Sequence, residues 1–400
     1  MPSPVAAARR LAGRAVLALP DTVAERAFSR VIGYGPGDVP RPIQAPEGAV
    51  RLLIAPANYA AQGRRWARAA GRIPGVAAMN LQFTGPNGGF AADASVPAGV
   101  VARSRRWSDG QWRAVRGFTH VLVEAERPIL GRRFSGDVRR EVRSMLDAGI
   151  SVGFISHGSD LRLPSRHVAD SEWSPFGDES WELRETLEAV AAENARIIDE
   201  FDLPVFVATP ELLADAPGAR WLPNLVEPDD WATDAPVLEA ARVRVLHAPT
   251  NAVIKGSALV EPALERLQAE GLVDYARVEG VPAGEMRDRY AAADVVLDQF
   301  RLGIYSTTSI EAMAAGRLVV ARLSDDVREH VASVVGEEPP IVQADPDSLE
   351  DVLRDIADRR AHYAAIAAAG PSFVRRAHGD EAAAAVLREF LVGGVTGARY

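Results

Sequence analysis

Residues 294–320, DVVLDQFRLGIYSTTSIEAMAAGRLVV, set two short apolar runs, VVL and LVV, on either side of a glycine- and hydroxyl-rich turn and a helix that stops at Gly316. The runs are too short for buried helices and carry no polar alternation, so they read as strands covered on both faces of a parallel sheet. Working upstream, strand VRVLHA, loop PTNAVIKG, helix SALVEPALERLQAEG, strand YARVEGV and helix AGEMRDRYAAA continue the alternation. An earlier series has the same form. VRLLIA leads through PANYAAQG to helix RRWARAAGRI, and THVLVEA and SVGFIS flank helix DVRREVRSMLDAG, which ends at Gly149. A long helix, SWELRETLEAVAAENARIIDEF, then precedes strands PVFVAT and ARWLPN. The expected fold class is therefore α/β, with two doubly wound (Rossmann-like) parallel-sheet domains facing across a cleft.

The acidic, turn-rich LVEPDDWATDAPVLEAA separates the two series. The expected boundaries are an N-terminal amphipathic helical segment at 1–45, a first domain at 46–228, a linker at 229–241, a second domain at 242–375 and a C-terminal helix at 376–400. A chain of 400 residues exceeds what one core usually holds. A net charge of −9 counts against a nucleic-acid partner, since affinity for phosphate backbones rests on clustered cations. The absence of cysteine removes disulfides, thiolate metal sites and cysteine nucleophiles. No apolar run is long enough to span a bilayer. Near the start, Arg9, Arg10 and Arg14 sit among Ala, Leu and Val at helical spacing; this segment packs on the body, trails as a tail, or lies on an anionic membrane surface. A secretory signal fits poorly with Arg14 interrupting the apolar stretch, so the expected location is cytoplasmic, with peripheral contact at the inner membrane face as an option. Neither G-x-G-x-x-G nor a Walker-type phosphate loop is present, which argues against nicotinamide enzymes and P-loop NTPases.

Four segments carry polar groups where strands should end. In HAPTNAVIKGS, Asn251 and Lys255 lie in a loop and Gly256 and Ser257 open a helix, so a helix N-terminus and an ammonium together favour a phosphate; a solvated lysine beside a serine cap is the plain alternative. In GIYSTTSIEAMAAG, Thr308 and Glu311 fit a capping box, while Gly303, Tyr305, Ser306 and Thr307 form a permissive turn before it. Glu311 could also accept hydrogen bonds from the vicinal hydroxyls of a ribose. FISHGSDLRLP places His157, Gly158, Ser159, Asp160 and Arg162 after a strand, with Asp160 either at a ligand or capping a turn. PANYAAQG offers Asn58, Gln62 and Gly63 on the acceptor or cleft side. Asp345 and Asp347 in DPD read as a turn and helix cap instead of a metal pair, and no metal site is expected.

HAPTNAVIKG, YAAADVVLDQFRLGIYSTTSIEAMAAGRLVV and the C-terminal helix together resemble the GT-B glycosyltransferases, in particular the large retaining group called family 4, over residues 51–391. The resemblance implies a hexosyltransferase that uses a nucleotide-diphosphate sugar as co-substrate and no other cofactor, acting on a glycan, lipid-linked or small hydroxyl acceptor in cell-envelope polysaccharide synthesis. It implies that Lys255 holds the diphosphate, with Asn251 near the position of a partner arginine, and that Glu311 bonds the ribose. The family's other glutamate lies eight residues earlier, where this chain has Gly303. Backbone N–H groups between Ile304 and Thr307 then face the sugar or β-phosphate, and His157 matches a first-domain histidine that touches the donor sugar. His157 with Asp160 would position sugar or acceptor during front-side transfer, without a metal. The alternative is a degenerate GT-B protein that binds a nucleotide sugar or glycan without turnover.

Overall fold

A computed structural model describes residues 19–85, 88–177, 181 and 183–393. The chain divides into two compact units. One holds the chain up to Asp160 together with Asn194–Phe206 and the stretch from Ala384 onward; the other holds Leu161–Glu193 and Val207–Ala383.

The first sheet contains β1 (Val50–Ala55), β2 (Val76–Thr84), β3 (Ala94–Pro97), β4 (His120–Glu124), β5 (Ser151–Ser156), β6 (Val205–Val207) and β7 (Arg220–Trp221), in the order β3-β2-β1-β4-β5-β6-β7. The pairs β1–β2, β1–β4, β2–β3 and β4–β5 are parallel. The chain winds outward from β1 in one direction and resumes from β4 in the other. The loops after β1 and β4 therefore diverge and leave a crevice at the carboxyl ends of these strands.

The second sheet contains β8 (Val243–His247), β9 (Val273–Arg277), β10 (Val295–Leu297), β11 (Leu318–Ala321) and β12 (Ile341–Gln343), in the order β12-β11-β10-β8-β9. Its reversal lies between β8 and β10, which pair in parallel with Val295 opposite Val245. Alternation along these strands sends Val245, Val295, Leu297 and Val320 into one apolar cluster, and Leu246, Val296, Val319 and Ala321 into another. Both faces are covered, which is why the strands read as unbroken apolar runs.

Three strands gave no clear sequence signal. β2 buries Asn80 and Gln82 inside an otherwise apolar stretch. Both are satisfied toward β3: Asn80 N–H donates to Asp93 Oδ2 at 2.9 Å, and Gln82 Nε2 to Ser95 Oγ at 2.9 Å. β3 and β12 have four and three residues, too few for periodicity to show. The helix Arg360–His378 keeps Pro371 inside it, and a Cβ on Gly370 would stand 2.6 Å from the Met313 carbonyl oxygen, so glycine lets two helices of the second unit meet.

The expected linker, 229–241, begins within the short helix Pro228–Trp231 and buries Leu238, whose N–H donates to Asp294 at 2.7 Å. Of the N-terminal segment, helices Asp21–Ala27 and Ser29–Ile32 pack on the first unit through Asp21 to Ser104 Oγ (3.1 Å) and Glu25 to Arg106 (3.1 Å). Its arginines at 9, 10 and 14 lie outside the described residues. Among the described residues, no helix is long and apolar enough to cross a membrane.

Candidate functional site

In the second unit, the loops leaving β8 and β10 bring Lys255, Asp298 and Ser306 together. Helix Ala252–Lys255 is closed by Gly256 at φ +78°, where a side chain would press on Arg301 and Phe300. The Lys255 ammonium is buried; it forms an ion pair with Asp298 and donates to Ser306 Oγ at 2.8 Å. Asp298 also accepts from Ser306 N–H at 2.7 Å, Ser306 Oγ at 2.8 Å and Ser309 Oγ at 2.5 Å. Burial works to raise the Asp298 carboxyl, but the Lys255 charge and these hydrogen bonds outweigh it and hold it below the usual carboxylate range. Lys255 is thus charge-compensated, and what it offers a ligand is the positive end of a fixed pair.

Helix Thr307–Ala314 begins at this pair. Its N-cap is Ser306, which accepts from Thr308 N–H at 3.2 Å, so the expected capping box with Thr308 as cap does not form. The Asp298 contact pulls the turn two residues earlier, and Glu311 moves into the second helical turn. There Glu311 accepts from the Tyr290 hydroxyl at 3.1 Å, and burial, then the Glu311 charge, raise that phenol. Thr307 and Thr308 are half-buried at the helix mouth.

Two residues expected at the ligand are turned elsewhere. Tyr305 is buried and bonds His378 Nε2 at 3.0 Å, so it anchors the turn to the core of the second unit. The side-chain oxygen of Asn251 accepts from Val253 and Ile254 N–H at 3.1 and 3.2 Å, which makes it the cap of its own short helix. Gly303 sits at φ +71° with Arg322 Nη1 3.3 Å from where a Cβ would be, so backbone geometry opposes a side chain there. It lines a separate cavity of about 450 Å³ with Arg322, Ser324 and His330.

In the first unit, the loops after β1, β4 and β5 form a second cluster. Glu124 is fully buried and accepts from Ala57 N–H at 2.8 Å and Asn58 N–H at 3.0 Å, with His157 Nε2 at 3.3 Å from its Oε1. The His157 ring lies against Tyr59 and Trp66, with centroids at 4.9 and 5.3 Å. Asp160 is used locally, accepting from His157 and Gly158 N–H at 2.8 and 2.5 Å; it caps the turn, the alternative already visible in the sequence. Gly158 is buried and Ser159 exposed. Glu126, buried beside Asp160, is pushed well above the carboxylate range by burial and then by that charge, while Ser156 Oγ donates to it at 2.9 Å.

Asn58 is buried, its Oδ1 accepting from Arg64 N–H at 3.0 Å and its Nδ2 donating to the Ala91 carbonyl at 3.2 Å. Gln62 is also buried. A Cβ on Gly63 would lie 2.9 Å from Glu124 Oε1 and 3.3 Å from Asn58 Oδ1. Gly63 therefore serves internal packing of the loop against Glu124 and offers no cradle. Asp298, Tyr290, Glu124 and Glu126 were missed by sequence reasoning. Acids at the ends of the apolar runs VVL and HVLV were the available signal, since a strand-end carboxylate must find partners.

No protein family matches the sequence, and no curated protein matches it. Solved structures do match in three dimensions. Sucrose-phosphate synthase from Thermosynechococcus elongatus superposes at TM-score 0.58 and 15% identity, covering 84% of this chain and 96% of that one. HepE from Anabaena superposes at 0.52 and 11% identity with UDP-glucose bound, covering 86% and 99%, and at 0.53 and 12% with UDP, covering 86% and 100%. At these identities the likeness is one of fold: two parallel-sheet α/β domains, as in the GT-B glycosyltransferases.

Proposed function

We propose that this protein is a glycosyltransferase that moves a hexose from a nucleotide-diphosphate sugar to a hydroxyl acceptor, with retention and without a metal ion. The reading is carried by the Lys255–Asp298–Ser306 cluster at the mouth of helix Thr307–Ala314, which lies at the reversal of a sheet whose fold is shared with a UDP-glucose-binding protein. The donor diphosphate sits on the N-terminus of helix Thr307–Ala314, where the first-turn backbone N–H groups and the helix dipole favour an anion. As the nucleoside diphosphate departs, negative charge grows on its β-phosphate, and these dipoles with the Lys255 ammonium stabilise it. Compensation by Asp298 makes the helix start, more than the lysine's net charge, the source of that stabilisation. Glu311, oriented by Tyr290, takes the ribose hydroxyls. In the first unit, His157, held beside Glu124, positions the acceptor. Backbone N–H groups between Ile304 and Thr307, apart from Ser306 whose N–H is held by Asp298, meet the transferred sugar.

Titration calorimetry with UDP, GDP, ADP and TDP and their hexose conjugates, with and without EDTA, tests the donor site. We expect one nucleotide to bind undiminished in EDTA, and Glu311→Ala to weaken it about tenfold or more through lost ribose bonds. Binding that is silent across the panel, or indifferent to Glu311→Ala, would refute the assignment. Donor binding without hexose transfer to any acceptor would leave a binding protein in place of an enzyme.

A further inference from the structure

The first unit carries an open cavity of about 590 Å³, within the range of small-ligand sites. Its chamber is apolar: Phe83 at the end of β2, Val101 and Ala102 on helix Ala98–Arg103, and the ring of Tyr59. Two guanidinium groups, Arg127 and Arg132, also line it. Arg127 lies over the Tyr59 ring at 5.7 Å, and Arg132 Nη1 donates to the Arg103 carbonyl at 3.0 Å. Neither forms an ion pair with a carboxylate among the described residues. Their neighbour Arg133, outside the cavity, is paired with Asp109 at 2.6 Å.

The wall carrying these arginines is built in a demanding conformation. Ala125, Glu126 and Ser135 have φ of +55°, +52° and +61°, and Gly131 has +63°. Left-handed non-glycine residues persist only where surrounding contacts hold them, and such segments concentrate at ligand sites. Here the holding group is buried Glu141, which accepts from Ile129 N–H at 2.6 Å and Leu130 N–H at 3.1 Å. A Cβ on Gly131 would lie 2.6 Å from Ser108 Oγ, so the wall seats directly on the neighbouring helix. The Tyr59 end of the chamber touches His157.

We propose that this cavity binds an amphiphile consisting of one apolar chain and one phosphate, with the chain in the chamber and the phosphate on Arg127 and Arg132. Resting on the glycosyl-transfer reading, this is the anchoring group of the acceptor, and it places the acceptor end beside His157. An apolar chamber alone would take any hydrophobe; the two guanidinium groups on its wall select an anion, and a phosphate offers oxygens to both forks at once.

The test is calorimetric titration of the full chain with decyl phosphate below its micelle-forming concentration, beside inorganic phosphate and decyl maltoside. We expect decyl phosphate to bind at least about tenfold more tightly than either, since each control lacks one of the two contacts. Ala102→Trp, which fills the chamber from an exposed position, should abolish binding, and Arg127→Gln/Arg132→Gln should reduce decyl phosphate to the level of decyl maltoside. Equal affinity for all three probes, no binding, or binding indifferent to both variants would overturn the proposal. UDP titration of the same samples separates the two readings. A protein that binds UDP but not decyl phosphate loses only the cavity proposal, and one that binds decyl phosphate but no nucleotide loses only the donor site.

Discussion

Lys255 illustrates how a residue type can be read correctly and its circumstances missed. A lysine before a helix-opening glycine suggested an exposed ammonium waiting for phosphate, whereas the folded chain buries it against Asp298, forty-three residues away. The pairing has a consequence for mutagenesis. Lys255→Met leaves a buried carboxylate without its cation and should cost about 3–5 kcal/mol, whereas Lys255→Met/Asp298→Asn leaves no uncompensated charge and should recover most of that loss. Urea unfolding followed by circular dichroism measures both; a double variant no more stable than the single one would show that the pair is not what holds this turn. Gly303 makes the complementary point. At φ +71°, with Arg322 and Ser324 close by, its lack of a side chain follows from backbone geometry, which no spacing of glutamates displays.

Among elements, those with strong periodicity were legible: β1 and β5 match VRLLIA and SVGFIS residue for residue. Short or polar-interrupted strands were not, because β2 satisfies its buried amides only through partners on the following segment. Helix Val138–Asp147 has a task its sequence did not reveal, since Glu141 ties down the loop before it. Burial pushes the Glu141 carboxyl up to about 8, against the opposing effect of the Ile129 and Leu130 hydrogen bonds. The folded state therefore holds this proton more tightly than the unfolded chain, whose glutamate titrates near 4.5. Its contribution to stability is full below that value and is lost as pH rises toward 8, by a few kcal/mol at most, since each tenfold change in proton affinity is worth about 1.4 kcal/mol. Glu141→Gln should flatten this part of the stability profile. Denaturation at pH 5, 7 and 9 tests it, and an unchanged slope would show that Glu141 stays ionised.

Across the molecule as a whole, the two units carry opposite buried titrations. In the second unit, burial depresses His247 and His378 to about 4, so both stay neutral when folded and their stabilising effect disappears as pH falls from the unfolded value of 6.5 toward 4. Asp294 and Asp298 act in the same sense, since burial works to raise them but their partners hold them below the normal range. In the first unit, raised Glu126 and Glu141 lose their contribution as pH rises, while His120, lowered by burial, adds some acid-side loss. Scanning calorimetry should show the second unit losing stability as pH falls from 6.5 toward about 4 and the first unit losing it as pH rises from 4.5 toward about 8; transitions that move together across this range would contradict the assignment. Apolar runs of strand length alternating with helices that end at glycines were enough to specify two parallel α/β sheets from the chain alone, because burial of both sheet faces is written in consecutive residues. It took the folded arrangement to reveal that Lys255 belongs to Asp298, that Tyr305 faces His378, and that Arg127 and Arg132 line an apolar chamber. These pairings depend on which loops a reversal of strand order brings together, and desolvation, the force that makes them matter, has no local signature in the chain.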